Sequence, residues 1–497
     1  MALKRLHTLF VAIELREAAS TTGTYQNQTG KMLPIDPTLE FEVGRYQRVV
    51  NGKTLTAKES LGGVQTGRVN FGLELTASVG PNQFQDTIRC CGFADEPVSK
   101  LTIGAVSGGP FRHGERIDQA SSGAYGICVG DVWDGMPLLW IAQAFQFGSG
   151  TFDASGSLVG AMSGASATPS AYVASGGRAW WPYSYRTSIL QFNGSGLLSG
   201  VTAGQQIRGV TSRAVGTVFF DQTAGVGVDH QVMFERNFGH FAGNEVVENI
   251  TTGNSNIGTT QNPGFEIAIR GTTASIGLIK DVLRERIDWA RGNVKLHGKI
   301  GEPAILDFSF LGALREIQDG GLPVHPNYSD IMVPPTLLGT DFLVGPANLG
   351  QSSLRRGCIR AFSLDMGHDV QIQECMALTV DHGPFFGPPH DSFTPKGVDM
   401  AIIVSRKPTI IIDPLLEPES AFPWMDTYMN NRALRAQMTI GSTPPNKFYI
   451  SMPSMSVSSA PTGEYSGIST RNITLELDGG DARGTRSDNE IVIIQEF

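Results

Sequence analysis

The chain has 497 residues, 40% hydrophobic and 17% charged, with 60 glycines and a net charge of −9. That length and apolar fraction allow a large buried core and roughly two to four domains, and they exclude an intrinsically disordered chain. The acidic balance, without a Lys/Arg cluster, excludes a dedicated DNA-binding face, which would have to be basic to neutralise phosphates.

The N-terminus, MALKRLHTLFVAIELREAAS, resembles a signal peptide only briefly. Glu14, Arg16 and Glu17 follow the apolar run at once, so it reads as a first β-strand. No apolar run approaches the roughly 18 residues that a membrane-spanning helix needs. An excursion at 44–67 then precedes GRVNFGLELTASVGPNQFQDTIRCCGF, which reads as a strand and a short helix around Phe84–Cys91 with Pro81 ahead of it.

Composition changes at this point. Between Lys100 and Lys280 there is no lysine, and Gly, Ser, Thr and Ala dominate, which marks an insertion. The insertion carries a repeat. GERIDQASSGAYGICV from Gly114 aligns with GQQIRGVTSRAVGTVF from Gly204, and GTFDASGSLVGAMSG from Gly150 with GHFAGNEVVENITTG from Gly239. In this alignment Ile117 lies opposite Ile207, and Leu158 opposite Val247. Each copy reads as a small all-β module of short strands. Trp180, Trp181, Tyr183 and Tyr185 separate the copies. Packing between the modules and the body is the preferred reading of these aromatics; a surface patch that stacks sugars or bases is the alternative.

After the insertion, RERIDWARGNVKLHGKIGEPAILDFSFLGAL reads as a hairpin. Val294, Leu296 and Ile300 on one strand and Ile305, Phe308 and Phe310 on the other supply apolar faces, and Gly301-Glu302-Pro303 turns the chain. Further on, RKPTIIIDPLLEPESAFPWMDTYMNNR repeats the strand-then-helix order, with a helix around Ala421–Asn431, and an antiparallel run follows over 433–478. The chain therefore reads as tandem copies of one β-sandwich-plus-helix unit. The excursions at 44–67 and 381–397 hold equivalent places in the two copies, and they read as contact arms or as flexible loops.

Chemistry is sparse. The nucleophile elbow, the phosphate loop and the zinc-protease helix are all missing from the sequence. Gly52-Lys53-Thr54 ends like a phosphate loop, but Gln47 occupies the place of its first glycine. Asp381, His382, His390 and Asp391 include metal-ligand types, yet the Pro and Gly residues between the histidines favour a long loop. Five cysteines, an odd number without a CxxC pair, point to reduced thiols rather than a disulfide framework. No catalytic, metal or cofactor site is expected, and the chain does not read as an enzyme.

One family accounts for these segments together. LHTLFVAIELREAASTTGTY, LPIDPTLEFEV, SLGGVQTGRVNFGLELTAS and FQDTIRCCGFA, in that order, resemble the tail tube (major tail) proteins of long-tailed bacteriophages. So do the Gly292-Asn293, Gly301-Glu302-Pro303 and Phe310-x-Gly312 pattern of the hairpin and the closing LDGGDARGTRSDNEIVIIQEF. The resemblance covers roughly 1–93, 265–340 and 355–497, and the insertion departs from it.

The resemblance implies a mainly β fold of tandem tail-tube β-sandwich units. These are a first unit of 1–100 and 264–340, inserted all-β decoration modules at 101–175 and 176–263, and a second unit of 341–497. It implies a virion structural protein of the tail, assembled in the host bacterial cytoplasm into stacked homo-oligomeric rings. Two units per chain suggest a trimer with pseudo-six-fold symmetry. Expected partners are further copies of the chain, a tape-measure protein, other tail proteins and genomic DNA passing without specific binding, with no membrane insertion. Asn51, Gly52, Lys53, Thr54, Phe385, Phe386, Pro388 and Pro389 are the candidate ring or subunit contacts. On this reading the modules lie outside the tube, and deletion of 104–262 leaves assembly intact. A distal tail or tail terminator ring protein is the nearest alternative. A glycan-binding or depolymerising tail protein is an alternative of another class.

Overall fold

The computed structural model describes residues 7–14, 31–32, 34–46, 61–76, 84–133, 136–143, 147–148, 151–161, 163–182, 187–192, 201, 205–222, 231–238, 241–260, 266–268, 273–280, 283–319, 341–346, 355–357, 359–374, 398–414, 424–465, 468–478 and 490–497. These residues are mainly β, in large antiparallel sheets.

Up to residue 103 the elements are β1 (His7–Glu14), β2 (Lys31–Met32), β3 (Ile35–Tyr46), β4 (Leu61–Glu74), α1 (Gln85–Cys90) and β5 (Phe93–Ile103). Next come β6 (Arg116–Gln119), β7 (Ala124–Ile127), β8 (Leu138–Ala142), β9 (Phe147–Gly148), β10 (Leu158–Gly160), β11 (Ser166–Ala167) and β12 (Pro169–Pro182). They are followed by β13 (Thr187–Gln191), β14 (Gln206–Gly209), β15 (Val215–Gln222), β16 (Gln231–Phe238), β17 (Val246–Asn249), β18 (Asn254–Thr259) and β19 (Glu266–Ala268). Three long strands follow: β20 (Thr273–Lys280), β21 (Leu283–Lys299) and β22 (Ile305–Asp319). Then come β23 (Asp341–Pro346), β24 (Arg355–Gly357), β25 (Ile359–Asp365), β26 (His368–Glu374), β27 (Val398–Arg406), β28 (Thr409–Pro414) and α2 (Trp424–Met429). The chain ends with β29 (Leu434–Ile440), β30 (Lys447–Ser459), β31 (Thr462–Tyr465), β32 (Ile468–Arg471), β33 (Ile473–Leu477) and β34 (Val492–Glu496).

One pattern of six strands occurs twice. The first set is ordered β3–β4–β22–β21–β20–β1, with every neighbour antiparallel. The second is ordered β25–β28–β33–β30–β29–β23, again antiparallel throughout. Chain order agrees as well: β1, β3, β4, β20, β21 and β22 answer to β23, β25, β28, β29, β30 and β33. Each helix falls between the third and fourth strands of its set, and each carries the same local sequence, Phe84-x-Asp86-Thr87 and Trp424-x-Asp426-Thr427. Phe84, Thr87, Trp424 and Thr427 are all buried.

Period-two alternation builds the core. Along β22, Leu306, Phe308 and Phe310 are buried while Asp307 is exposed. Phe71 stacks on Phe308 and Phe310, with ring centroids 5.4 and 6.0 Å apart. Each such ring stabilises the fold by about 1.5–3 kcal/mol through burial alone. Val294 and Leu296 face the same core, but Ile300 does not, being 54% exposed in the hairpin turn. Leu306, not Ile305, takes the core position, because period-two alternation puts it on the same face as Phe308 and Phe310. Gly301 at the tip has φ +81, a conformation glycine adopts without steric cost.

The two sets are one continuous sheet because β21 changes partner along its length. Its first half pairs with β20, and residues 295–299 pair with 361–365 of β25. A bulge between Asp288 and Arg291, with Trp289 at φ +51, separates the halves.

The stretch between β5 and β20 holds two small sheets, ordered β11-β10-β6-β7-β9 and β18-β17-β14-β15-β16-β13-β19. Each has its own apolar cluster, around Phe111 and Phe152 in the first and Phe192 and Phe234 in the second. The divisions at 100/101 and 175/176 fall inside β5 and β12, which pair with each other; β12 also pairs with β34 of the body. Trp180 and Trp181 on β12 are buried at 0% and 5% exposure, so neither belongs to a surface patch. Consecutive strand residues point to opposite faces. Trp180 enters the body core beside Phe84, and Trp181 enters the cluster with Trp140 and Tyr449. Segment 104–262 is therefore not a separable decoration.

A buried glutamate relates the two modules. Glu115 accepts from Arg112 N (2.6 Å), Ser163 N (3.0 Å) and Ser163 Oγ (2.9 Å). Glu245 accepts from Ala242 N, Thr211 N (3.1 Å), Ser212 N (2.8 Å) and Ser212 Oγ (2.7 Å). Strand order alone permits the sequential alignment of the repeats. The glutamate network instead pairs the β6–β7 hairpin with β17–β18, and β10–β11 with β14–β15. Removing either carboxylate leaves several part-buried donors without this acceptor, and hydrogen bonds to a charged group contribute about 1.5–3 kcal/mol each. Glu115→Ala is expected to destabilise the first module by about 3 kcal/mol and Glu115→Gln by less. Urea unfolding followed through Trp133, a buried member of that module, measures both.

Candidate functional site

The joint between the two sets and the polar face of their shared sheet form the candidate site. At the joint, Asn293 Nδ2 donates to Asp365 Oδ1 (2.8 Å), and Asn293 Oδ1 accepts from His368 N (3.0 Å). Asp365 Oδ1 also accepts from Gly367 N (2.8 Å), which closes a tight turn with Gly367 at φ +57. Arg360 pairs with Asp413 at 2.9 Å, and Asp413 Oδ1 accepts from the Arg360 and Ala361 amides. The β26–β27 hairpin, which leads out of this turn, packs against β21 and β22.

His368 stands at the centre of the joint. The Gly292 carbonyl, 3.2 Å from Nδ1, can only accept, so Nδ1 carries the proton in the neutral ring. Burial lowers its pKa to about 4, reinforced by Arg406 and opposed by Gly292 and Asp365.

The polar face alternates with the core. It presents Glu40 and Glu42 on β3, Arg68 and Asn70 on β4, Asp307 and Ser309 on β22, and Lys295, His297 and Lys299 on β21. Arg68 reaches Ser309, and His297 lies 2.9 Å from Asp307 with both side chains open to water. Exposed pairs of this kind contribute little to stability, about 0–1 kcal/mol. Acidic and basic groups are mixed, without the continuous positive stripe that grips phosphates. Among the described residues no group of three or more His, Cys, Asp or Glu is placed to hold a metal ion. No helix among them is long and apolar enough to cross a membrane.

A second polar junction ties the first module to the second strand set. Asp131 Oδ1 accepts from His113 N (2.9 Å), and Asp131 N donates to Ser451 on β30. Arg435 on β29 lies over the Trp133 ring at 4.8 Å. Burial pushes the Asp131 carboxyl up to about 6, against its backbone hydrogen bond and the pull of Arg112 and Arg435 and with the help of Glu115. Burial also raises the Cys91 and Cys128 thiols, which keeps them protonated and unreactive.

The candidate contact residues Asn51, Gly52, Lys53, Thr54, Phe385, Phe386, Pro388 and Pro389 lie outside the described residues. So do Tyr183, Tyr185, Asp381, His382, His390 and Asp391. Trp180 and Trp181 are core residues and are not available to stack a sugar. Sequence reasoning missed the β21–β25 joint and the Asp131–Arg435 junction, both built from residues far apart in the chain. The signal that was present is the shared aromatic-x-Asp-Thr of the two helices. No protein-family model matches the chain, and no curated protein matches it.

Proposed function

We propose that this chain is a virion structural protein that assembles into stacked rings forming the tail tube of a long-tailed phage. The recurrence of one six-strand pattern, with the two copies already joined edge to edge through β21 and β25, carries this reading. Each set is then one tail-tube β-sandwich unit, and a chain with two units supplies a third of a pseudo-six-fold ring. Ring closure pairs sheet edges that would otherwise be open templates for aggregation. The mixed-charge face of Glu40, Glu42, Arg68, Asp307 and Lys295 lines the channel, where DNA passes without a basic grip. The two modules sit outside the tube. The tape-measure protein and the other tail proteins are the expected partners in the virion.

Electron cryomicroscopy of the concentrated full-length protein tests this. Tubes with three chains per ring are the expected result. Six chains per ring would overturn the pseudo-six-fold arrangement. Folded particles that never stack would replace the tube by a distal or terminator ring.

A further inference from the structure

Among the described residues, the internal recurrence identifies two strand edges that are matched in one copy and bare in the other. In the second set, β25 is paired on one side with β28 and on the other with the tip half of β21. Its counterpart β3 is paired with β4 alone among the described residues. The side chains of β3 are open further along the strand: Phe41 and Val43, opposite Gly67 and Gln65 of β4, are 55% and 39% exposed. Leu39, Phe41 and Val43 alternate along one face of β3, and Leu39 packs against the core. The apolar face therefore runs off the end of the core into solvent.

The complementary edge has the same history. The first half of β21 is flanked by β20 and its tip half by β25. In its counterpart β30, the half up to Met455 is flanked by β29. Residues 456–459 and the continuing β31 are paired with β33 and β32 only, among the described residues. Thus, among the described residues, one strand lacks the neighbour that its twin has, and one hairpin lacks the strand that its twin holds.

We infer that β3 of one copy adds antiparallel to the open edge of β30–β31 in a second copy of this chain, repeating between chains the β21–β25 joint. The occupant is a second copy because the missing partner in each case is the other element of the same chain. The contact is head to tail, each chain offering one edge and accepting the other, so it propagates around a ring. Phe41 and Val43 extend the apolar face of the joint beyond Leu39. This inference rests on the reading of the chain as a ring-forming protein and names the strands that close the ring.

The test uses the full chain. Phe41→Lys with Val43→Lys alters two side chains that are exposed within the single chain, so the melting temperature should not move. Ring population by mass photometry should fall by roughly 30-fold, the scale of losing a pair of interface hot spots. In a second arm, single variants Glu42→Cys and Ser458→Cys are mixed and treated with a short bismaleimide. A cross-link joining residue 42 of one chain to residue 458 of another is expected. Rings that persist in the double-lysine variant, or cross-links joining 42 only to 42, would overturn the joint while leaving the ring reading standing. Failure of the unmodified chain to self-associate at any concentration would overturn the ring reading itself, and the joint with it.

Discussion

Excising residues 104–262 is expected to abolish folding of the body, whereas excising 105–167 leaves a protein that still unfolds cooperatively. The two cuts differ in what they do to β12. The shorter one removes the first module together with β8, which pairs with β5 over Val98–Thr102, and it cuts where the Gly104 amide donates to the Thr168 carbonyl at 3.0 Å and Ile103 pairs with Pro169. A two-residue Asn-Gly turn closes that gap as a hairpin. The longer cut takes β12 as well. Trp180 leaves the body core, Trp181 leaves the cluster around Tyr449, and β34 keeps β30 but loses its other neighbour, Gly177–Trp180 of β12. Loss of one buried Trp side chain costs about 3–5 kcal/mol. Two of them, with the strand that carries them, match the whole stability of about 5–15 kcal/mol expected of a domain. The short excision loses Trp140 from the Tyr449 ring, 5.9 Å between centroids, and should melt lower than the full chain. Soluble yield and thermal unfolding of the two deletion variants decide the matter. A folded, soluble product of the longer excision would show that β12 is dispensable.

How far the sequence reveals this architecture depends on how local each feature is. The first strand, both helices and the Gly301 turn follow from period-two apolar alternation, a proline ahead of each helix and one glycine. These are written into neighbouring residues. The place of β12 is not. PSAYVASGGRAWWP has little alternation, and its partners β5 and β34 lie far away on either side in the chain. Adjacent tryptophans suggest a surface platform only when one face of their strand is taken to be open. With β5 and β34 flanking β12 and a core on each face, both rings are covered. The crossed relation of the modules was hidden for a different reason. Their hairpins share one turn pattern, Ser122-Gly123, Ser163-Gly164, Ser212-Arg213 and Thr252-Gly253, with the second residue left-handed each time. Any hairpin therefore aligns with any other until the buried glutamates choose. The edge of β3, unpaired on one side among the described residues, is likewise visible only once its twin β25 is seen covered.

Between about pH 4 and pH 6.5, two buried groups should drive stability in opposite directions, and single variants should separate them. His368 has a folded pKa of about 4 against an ordinary 6.5. As pH falls through that window the unfolded chain takes up a proton that the folded ring refuses, so acid weakens the fold, by about 3 kcal/mol at most. Asp131 has a folded pKa of about 6 against an ordinary 3.8. There the folded chain holds a proton that the unfolded chain has released, so stability falls as pH rises from about 4 to 6, by a similar amount. In the unmodified protein these two slopes oppose each other. Asp131→Asn keeps an acceptor for the His113 amide and removes the second slope, so this variant should lose stability on acidification relative to the parent. His368→Asn removes the first slope and should gain stability on acidification relative to the parent. Urea midpoints at pH 4.5 and 6.5 for the three proteins measure the difference. The groups lie at different joints: His368 where the two strand sets meet, Asp131 where the first module meets β29 and β30. Slopes of the same sign in the two variants would mean that burial does not govern protonation at one of those joints.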